Sequence, residues 1–218
     1  LKVFAPECYA SLFEQQMNFF MQGMTYEIEF VPVDTTQQKV VYEDHSVTVE
    51  TVPLRHRVPC CGYIFREKPT LPHIRRDMID YYGIPLSQIN NIKNGADWTT
   101  PEGDIVPNSR LVEPADAPRS YAYCSDTCYL PDLYERVKDV TVLYHESTYT
   151  SENEDRAKIY YHSTARQAAL VAQKAGAGRL LLGHYSARYN NENVLLEEAK
   201  AVFPESYLAQ EGMVFEVK

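Results

Sequence analysis

The chain has 218 residues, 44% hydrophobic and 23% charged, an ordinary composition for a globular protein with one sizeable core. Its formal net charge of −9 argues against broad, non-specific binding to nucleic acid. Because no apolar run reaches the roughly 18 residues needed to span a bilayer, no membrane partner is expected. The five cysteines show no paired framework, which favours reduced thiols and a cytoplasmic location.

Positive charge is concentrated in one part of this acidic chain. Residues 55–76 contain six lysines and arginines but only one acidic residue, Glu67. Such a local basic patch suits a specific polyanionic partner. The alternative is a solvated loop whose charges have no binding role.

Apolar periodicity and turn residues predict the following elements in chain order. Helices are predicted at residues 8–22, 72–82, 85–93, 164–174 and 192–202, and strands at 26–33, 39–42, 46–53, 62–65, 120–124, 140–144, 179–182 and 213–217. The helix at 164–174 has a capping-box pair at its start, Thr164 and Gln167. Strands that pass into β-α-β units predict an α/β fold with a mixed sheet.

Residues 68–94 differ in character from the segments on either side. Pro69 and Pro72 interrupt the chain, and Gly83 separates two short predicted helices. The segment is therefore predicted to be an arm inserted into the sheet domain.

Residues of the types that bind metal ions or transfer protons lie where predicted strands end. His56, Asp126, the pair His145-Glu146 and His184 occupy these places, and His162 precedes the alanine-rich helix. The carboxyl ends of strands gather ligand-binding groups along one edge of an α/β sheet. Imidazole and carboxylate are the ligand types that hydrolytic zinc sites use. Each residue alone also fits a structural histidine or a turn residue, so the prediction depends on the set.

Five sequence blocks in order resemble the ribonuclease Z family of the metallo-β-lactamase superfamily. Residues 53–63 resemble its "P-L-x-H-x-V-x-x-x-G-Y" block, and residues 123–127 its "G-D-T" block with Ser in place of Gly. Residues 143–149 resemble "H-E-A-T-F", residues 162–169 "H-S-T-x-x-Q-A-A", and residues 181–189 "L-x-H-x-S-x-R-Y". The last two blocks distinguish ribonuclease Z from its relatives.

This resemblance implies a fold and a function. The fold would be the C-terminal part of a metallo-β-lactamase-type αββα sandwich with mixed sheets, residues 1–218, carrying a protruding exosite arm at 68–94. The function would be a zinc-dependent endoribonuclease that removes the 3′ trailer from precursor tRNA, through attack of a metal-activated hydroxide on a phosphodiester. The family implies two zinc ions per complete active site and a homodimer.

The resemblance also implies roles for the strand-end residues. His56 and His184 would each ligate one zinc ion, and Asp126 would bridge the two. His162 would act in catalysis near the scissile phosphate. Glu146 would support catalysis by orienting an imidazole, together with its neighbour His145, or would make a purely structural hydrogen bond.

Two further sets of residues are candidates for contact with RNA. The arm matches the place where the family carries its tRNA-binding exosite, so basic side chains there are expected to contact phosphates of the tRNA. These side chains are Arg66, Lys68, Arg75, Arg76 and Lys93. In the last block, Arg188 and Tyr189 would either touch RNA phosphate or pack against the rim of the site.

The family's most diagnostic motif, His-x-His-x-Asp-His, is not found in the sequence, whose first histidine is His45. We therefore expect the chain to be the C-terminal portion of a longer protein and, by itself, to bind zinc weakly and lack activity. A degenerate half of a long-form enzyme is the alternative, but the retained strand-end residues favour a catalytic half.

Two rival functions remain open at this stage. The first is another metallo-β-lactamase-fold phosphodiesterase that acts on a small ester. The second is a non-catalytic module for tRNA binding or dimerisation. The basic arm disfavours the first, because a small substrate needs no distant docking platform.

Overall fold

A computed structural model describes residues 1–20, 23 and 25–218 as two compact units. The first unit consists of Leu1–Glu67 and Arg119–Lys218, and the second of Lys68–Pro118. The strands are β1 (Lys2–Pro6), β2 (Glu29–Val33), β3 (Val40–Glu43), β4 (Val47–Pro53), β5 (Cys61–Glu67), β6 (His73–Ile74), β7 (Trp98–Thr99), β8 (Ile105–Val106), β9 (Val112–Glu113), β10 (Ser120–Cys124), β11 (Val142–Glu146), β12 (Arg179–Gly183) and β13 (Ser206–Leu208). The α-helices are α1 (Ala10–Phe20), α2 (Arg76–Tyr81), α3 (Leu86–Lys93), α4 (Asn108–Leu111), α5 (Leu133–Arg136), α6 (Glu154–Tyr160), α7 (Ala165–Ala175) and α8 (Asn193–Lys200).

A seven-stranded mixed sheet organises the first unit, in the order β13-β12-β11-β10-β5-β4-β3. Neighbours from β10 to β13 are parallel, whereas β10-β5, β5-β4 and β4-β3 are antiparallel. Two antiparallel steps restore the strand direction, so β4 runs the same way as β10, β11 and β12. The carboxyl ends of these four strands therefore lie along the same edge of the sheet. This arrangement confirms the predicted α/β class with a mixed sheet.

Helix α7 packs closely on the sheet because of its small residues. Ala165, Ala168, Ala169 and Ala172 are all fully buried and bring the helix near β11 and β12. The predicted capping box is present at its start, where Thr164 accepts a hydrogen bond from the Gln167 backbone N–H and the Gln167 side chain accepts one from the Thr164 N–H. The close packing and the capping box of this helix hold in place the residues just before it, His162 and Ser163.

The predicted elements of the first unit are found within a few residues, with one error. The helix predicted at 8–22 is observed as a short 3₁₀ turn followed by α1, and residues 21 and 22 lie outside the described residues. The strand predicted at 213–217 is wrong, because the structure assigns no strand there. Met213 and Val214 are exposed, and it is β13 that occupies the edge position beside β12. Phe215 packs instead on Tyr207, so an apolar residue in the alternating segment 213–217 is explained without a strand.

The second unit contains the segment predicted as an arm, residues 68–94, and continues to Pro118. Helices α2 and α3 and the short strand pairs β6-β9 and β7-β8 form it. Ile84, Ile92, Val106 and Leu111 make its small buried core. No helix among the described residues is long and apolar enough to cross a membrane, and all five cysteines are free thiols.

Candidate metal centre

The predicted strand-end residues of the first unit converge at one edge of the sheet. His56 follows β4, Asp126 follows β10, His184 follows β12, and His162 lies just before α7. The His184 Nε2 atom lies 3.0 Å from Asp126 Oδ1. The His162 ring lies between the other two imidazoles, with centroid distances of 5.1 Å to His56 and 5.2 Å to His184. The structure therefore brings all four residues together.

The backbone bends sharply where it enters the site. Asp126 and His184 have positive φ angles of 54° and 57°, and Tyr161, which precedes His162, has a φ of 62°. Asp139 is the remaining non-glycine residue with positive φ in the described chain. Left-handed backbone is costly for residues other than glycine and clusters at functional sites. Here it occurs at two candidate site residues and directly before a third.

Two of the imidazoles are held through their Nδ1 atoms. His56 Nδ1 lies 3.0 Å from the carbonyl oxygen of Tyr161, and His162 Nδ1 lies 3.0 Å from Glu146 Oε1. Since both partners only accept hydrogen bonds, each Nδ1 carries the proton and each Nε2 is left for the site. The hydrogen bond that His162 donates to Glu146 raises the pKa of His162, outweighing the opposite effect of burial.

The third imidazole is held through a hydroxyl group. Thr148 Oγ1 lies 2.6 Å from Glu146 Oε2 and 2.9 Å from His184 Nδ1. The single hydroxyl hydrogen goes to the carboxylate, which is the stronger acceptor, so His184 Nδ1 donates to Thr148. The Nε2 atom of His184, on the other side of the ring, then faces Asp126 Oδ1 at 3.0 Å. A cation shared by this nitrogen and this oxygen, either a proton or a metal ion, is favourable at such a separation.

Glu146 is the centre of this hydrogen-bond network. Its carboxylate accepts from the Thr127 N–H at 2.7 Å, His162 at 3.0 Å, the Thr148 hydroxyl at 2.6 Å and the Ser163 N–H at 2.9 Å. Burial alone would raise the pKa of Glu146, but the hydrogen bonds from His162, Ser163 and Thr148 outweigh it and lower the pKa. Glu146 is completely buried and its lone pairs are taken. It is therefore placed to position imidazoles and not to touch substrate.

The chemistry of the remaining donors fits a divalent metal. One ligand atom from each of His56, Asp126 and His162 lies within 4.8 Å of the others. A second such group joins His162 and His184 to Glu146, but the Glu146 oxygens are already saturated by hydrogen bonds. Neutral imidazole nitrogen and carboxylate oxygen, with the opposite ring nitrogen anchored, form the usual protein environment of zinc.

Arg188 and His145 are two further residues for which the sequence left a role open. The guanidinium of Arg188 donates to Ser186 Oγ at 3.2 Å and to Asn153 Oδ1 at 3.0 Å, and it lies 4.9 Å from the Tyr149 ring centroid. These contacts favour packing over RNA binding for this residue. His145, expected beside Glu146 as an orienter, is fully buried, and its Nδ1 bonds only to the Glu146 carbonyl oxygen at 2.8 Å.

The basic residues predicted to bind tRNA are divided between the two units. Arg66 lies on β5 of the first unit, 3.9 Å from Glu50. The others belong to the second unit, where Arg75 pairs with Asp77 at 2.8 Å. Lys68, Arg76 and Lys93 are the remaining members of the set. Their contact with tRNA stays a prediction.

Sequence reasoning missed the groups that anchor the imidazoles. Thr148 lies inside one of the family blocks, two residues after Glu146, which is a usable signal. Thr127 and Ser163 contribute backbone N–H groups, and Tyr161 a carbonyl, so their side chains carry no sign of the role.

Comparisons with known proteins identify the relatives of the chain. No model of a known protein family matches it. Ribonuclease Z of Bacteroides fragilis is 48% identical over 213 residues, which cover 98% of this chain and 70% of that protein. Ribonuclease Z of Porphyromonas gingivalis is 43% identical with the same coverage of both chains.

Solved structures agree at the level of the fold. The short form of human tRNase Z superposes with a TM-score of 0.60 at 17% identity, covering 100% of this chain and 68% of that one. A metallo-β-lactamase-fold protein of Bacillus subtilis gives 0.59 at 16% identity, covering 99% and 65%. The metallo-β-lactamase fold is thereby confirmed. With relatives at this identity and coverage, the chain belongs to the ribonuclease Z family of metal-dependent tRNA-processing endoribonucleases.

Proposed function

We propose that this chain supplies one side of a zinc-dependent active site that removes the 3′ trailer from precursor tRNA. The observation that carries the proposal is the convergence of imidazole and carboxylate donors at one edge of the sheet, including Asp126 Oδ1 at 3.0 Å from His184 Nε2, a donor set that suits a divalent cation. Membership of the ribonuclease Z family gives that cation its catalytic context. Cleavage would leave a 3′-hydroxyl on the tRNA.

Within this proposal the residues at the sheet edge divide the work. His56, Asp126 and His184 would hold zinc, with Asp126 between two ions. Zinc supplies Lewis-acid activation of water and stabilises charge that develops on phosphoryl oxygens. The hydrogen bonds at Nδ1 of His56 and His184 would leave their Nε2 atoms available to bind zinc.

His162 is proposed to handle a proton near the scissile phosphate. Its Nδ1 proton is committed to Glu146, so only Nε2 faces the reacting groups. Glu146 keeps the ring in one orientation and balances the charge of a protonated imidazole, as a buried carboxylate does for other catalytic histidines. Glu146 is therefore a positioning residue and His162 the catalytic one.

The partners follow from the same family assignment. Precursor tRNA is the proposed substrate, held in part through the basic residues of the second unit, and a homodimer in the cytoplasm is the proposed state. The five free thiols are compatible with a reducing compartment. Light scattering during size-exclusion chromatography gives the molar mass that checks the dimer.

The test uses the natural gene product that contains residues 1–218. The purified protein should contain zinc by elemental analysis and should release the trailer from a precursor tRNA. Asp126→Asn should remove most of the bound zinc and the cleavage, because the bridging carboxylate is removed. Asp132→Asn, which changes an exposed acid on the first-unit surface, is the matched control and should change neither.

Two results would contradict the proposal. The first is full zinc content and cleavage in Asp126→Asn. The second is a wild-type protein that binds zinc and cleaves a small phosphodiester but not precursor tRNA. The second result would favour another phosphodiesterase of the same fold.

A further inference from the structure

A cavity of about 340 Å³ opens beside His162 on the first unit. Two cationic side chains, Arg55 and Lys158, and two tyrosines, Tyr129 and Tyr161, are among its lining residues. We name it the side pocket. Its volume lies at the lower end of the roughly 300–1,000 Å³ typical of small-molecule sites. None of these four residues belongs to the set predicted to ligate metal or to bind tRNA.

The cations of the side pocket lack protein partners for their charge. Among the described residues, none forms an ion pair or a hydrogen bond with the side chains of Arg55 and Lys158. The Arg55 guanidinium lies 5.9 Å from the centroid of the Tyr161 ring. The one carboxylate in the lining, Glu154, accepts a hydrogen bond from Gln167 at 3.2 Å. Two cations against this one carboxylate leave the pocket a net positive charge that suits an anion.

The backbone of the side pocket is fixed by hydrogen bonds. The Arg55 N–H donates to Thr127 Oγ1 at 3.2 Å, and its carbonyl accepts from the Cys128 N–H at 2.9 Å. The Tyr161 carbonyl accepts from His56 Nδ1. Arg55 and Tyr161 thus line the pocket and adjoin the metal centre. A ligand in the pocket would lie next to the reacting phosphate.

We propose that the side pocket binds the single-stranded nucleotide adjoining the scissile phosphate, an inference that rests on the proposed tRNA-processing function. The base stacks on the tyrosine rings, and the next phosphate along the strand pairs with Arg55 and Lys158. Aromatic stacking with arginine at the backbone is the usual way in which proteins hold single-stranded RNA. Because every base has a π face, this recognition tolerates the different sequences of many tRNAs.

The nucleotide could come from either side of the cleaved bond, and two modified substrates separate these sources. One precursor tRNA carries an abasic nucleotide immediately 5′ of the cleavage site, and the other carries it immediately 3′. Cleavage by the natural gene product is compared on both and on the unmodified substrate. We expect one abasic position, and not the other, to lower kcat/KM roughly tenfold.

Variants of Tyr161 link that effect to the side pocket. Tyr161→Asn removes the ring, keeps the backbone carbonyl and suits the left-handed φ, since asparagine tolerates this region. It should lower kcat/KM on the unmodified substrate by the same factor and show no further decrease on the abasic one. Tyr161→Phe, which keeps an aromatic ring, should lower kcat/KM much less than Tyr161→Asn does. Tyr160→Asn, at an exposed neighbour outside the pocket, is the matched control. Unchanged zinc content in Tyr161→Asn confirms that His56 remains anchored.

A second variant keeps the inference falsifiable if Tyr161→Asn loses zinc or folds poorly. Methylphosphonate at the phosphate beyond the sensitive nucleotide should weaken wild-type cleavage but leave Arg55→Ala unaffected. The inference is overturned if neither abasic substrate is impaired, or if the side-pocket variants remain as sensitive as wild type to both modifications. Those results overturn the inference alone. If the wild type fails to cleave unmodified precursor tRNA, the proposed function is overturned as well, so the two failures can be told apart.

Discussion

The candidate metal centre of the first unit and the basic segment of the second unit differ in the burial and hydrogen bonding of their charged groups. At the metal centre, Glu146 is completely buried and receives four hydrogen bonds. In the second unit, Arg75 and Asp77 form an ion pair at 2.8 Å in which both side chains reach solvent. One region has its geometry set before any ligand arrives, and the other offers charge without fixed geometry.

The difference teaches where each region's effect on function should appear. Preorganised groups in a low-dielectric site have large, position-specific effects. Exposed cations act through screened, long-range attraction to phosphate, so their effects are small and depend on salt. Four variants, taken from the largest expected effect to the smallest, test whether the two regions differ in this way.

Glu146→Gln should give the largest effect. An amide NH₂ would replace one carboxylate oxygen and face two hydrogen-bond donors inside the buried network. Metal affinity should fall about a hundredfold, and the free energy of unfolding should fall by roughly 1–3 kcal/mol. Zinc titration and urea unfolding measure the two quantities. Glu152→Gln, at a surface carboxylate in the 3₁₀ turn before α6, should change neither. A variant with normal zinc affinity would contradict the central role of Glu146.

Thr148→Val should have an intermediate effect. The change removes the hydroxyl that links Glu146 to His184 and keeps the shape of the side chain. Zinc affinity and kcat should fall about tenfold, at the lower end for the removal of an outer-sphere partner. Thr150→Val removes a hydroxyl that contacts Tyr189 and not the metal centre, so it is the matched control. Equal effects of the two variants would show that the Thr148 hydroxyl does not orient His184.

Replacing Arg75, Arg76 and Lys93 together by alanine should have a smaller and salt-dependent effect. The KM for precursor tRNA should rise, and the slope of log affinity against log salt should decrease by roughly one for each phosphate that is no longer neutralised. Zinc content and cleavage of a small phosphodiester should not change. Arg110→Ala serves as the control, since Arg110 is an exposed cation of the same unit outside the predicted set. An unchanged salt slope would argue against tRNA binding by these residues.

Thr164→Ala should have the smallest effect. It removes the side-chain half of the capping box of α7. The free energy of unfolding should fall by about 1 kcal/mol, with zinc affinity retained, because the helix remains packed by its buried alanines. Thermal unfolding with and without zinc measures this. A large decrease in zinc affinity would show that the cap and the metal centre are coupled. The stability of α7 and the geometry of the site would then not be independent.

Much of the fold could be predicted from the sequence because the signals were local. The capping box at Thr164 and Gln167 and the apolar run of β12 depend on neighbouring residues, and both are confirmed. The strand predicted at 213–217 failed because alternation records a preference for one apolar face and not the presence of a strand partner. Phe215 satisfies that preference by packing on Tyr207.

The candidate site was predictable in its residue types but not in its hydrogen bonds. His56, Asp126, His162 and His184 were found from their places at strand ends and from the family blocks, and the structure brings them together. The anchors of their Nδ1 atoms were not predictable, because His56 meets a carbonyl 105 residues away along the chain. Lys158 and Tyr161 likewise adjoin Arg55 only after folding.

The sequence by itself determined which chemical groups stand at the ends of the strands, since composition and local pattern carry that information. Only the tertiary structure decided how those groups work. The two antiparallel steps from β10 to β4 put His56 on the same edge as Asp126 and His184. The Tyr161 carbonyl, Glu146 and Thr148 then hold the three imidazoles through their Nδ1 atoms. Tautomers depend on partners in space, and partners in space depend on the packing of the whole sheet.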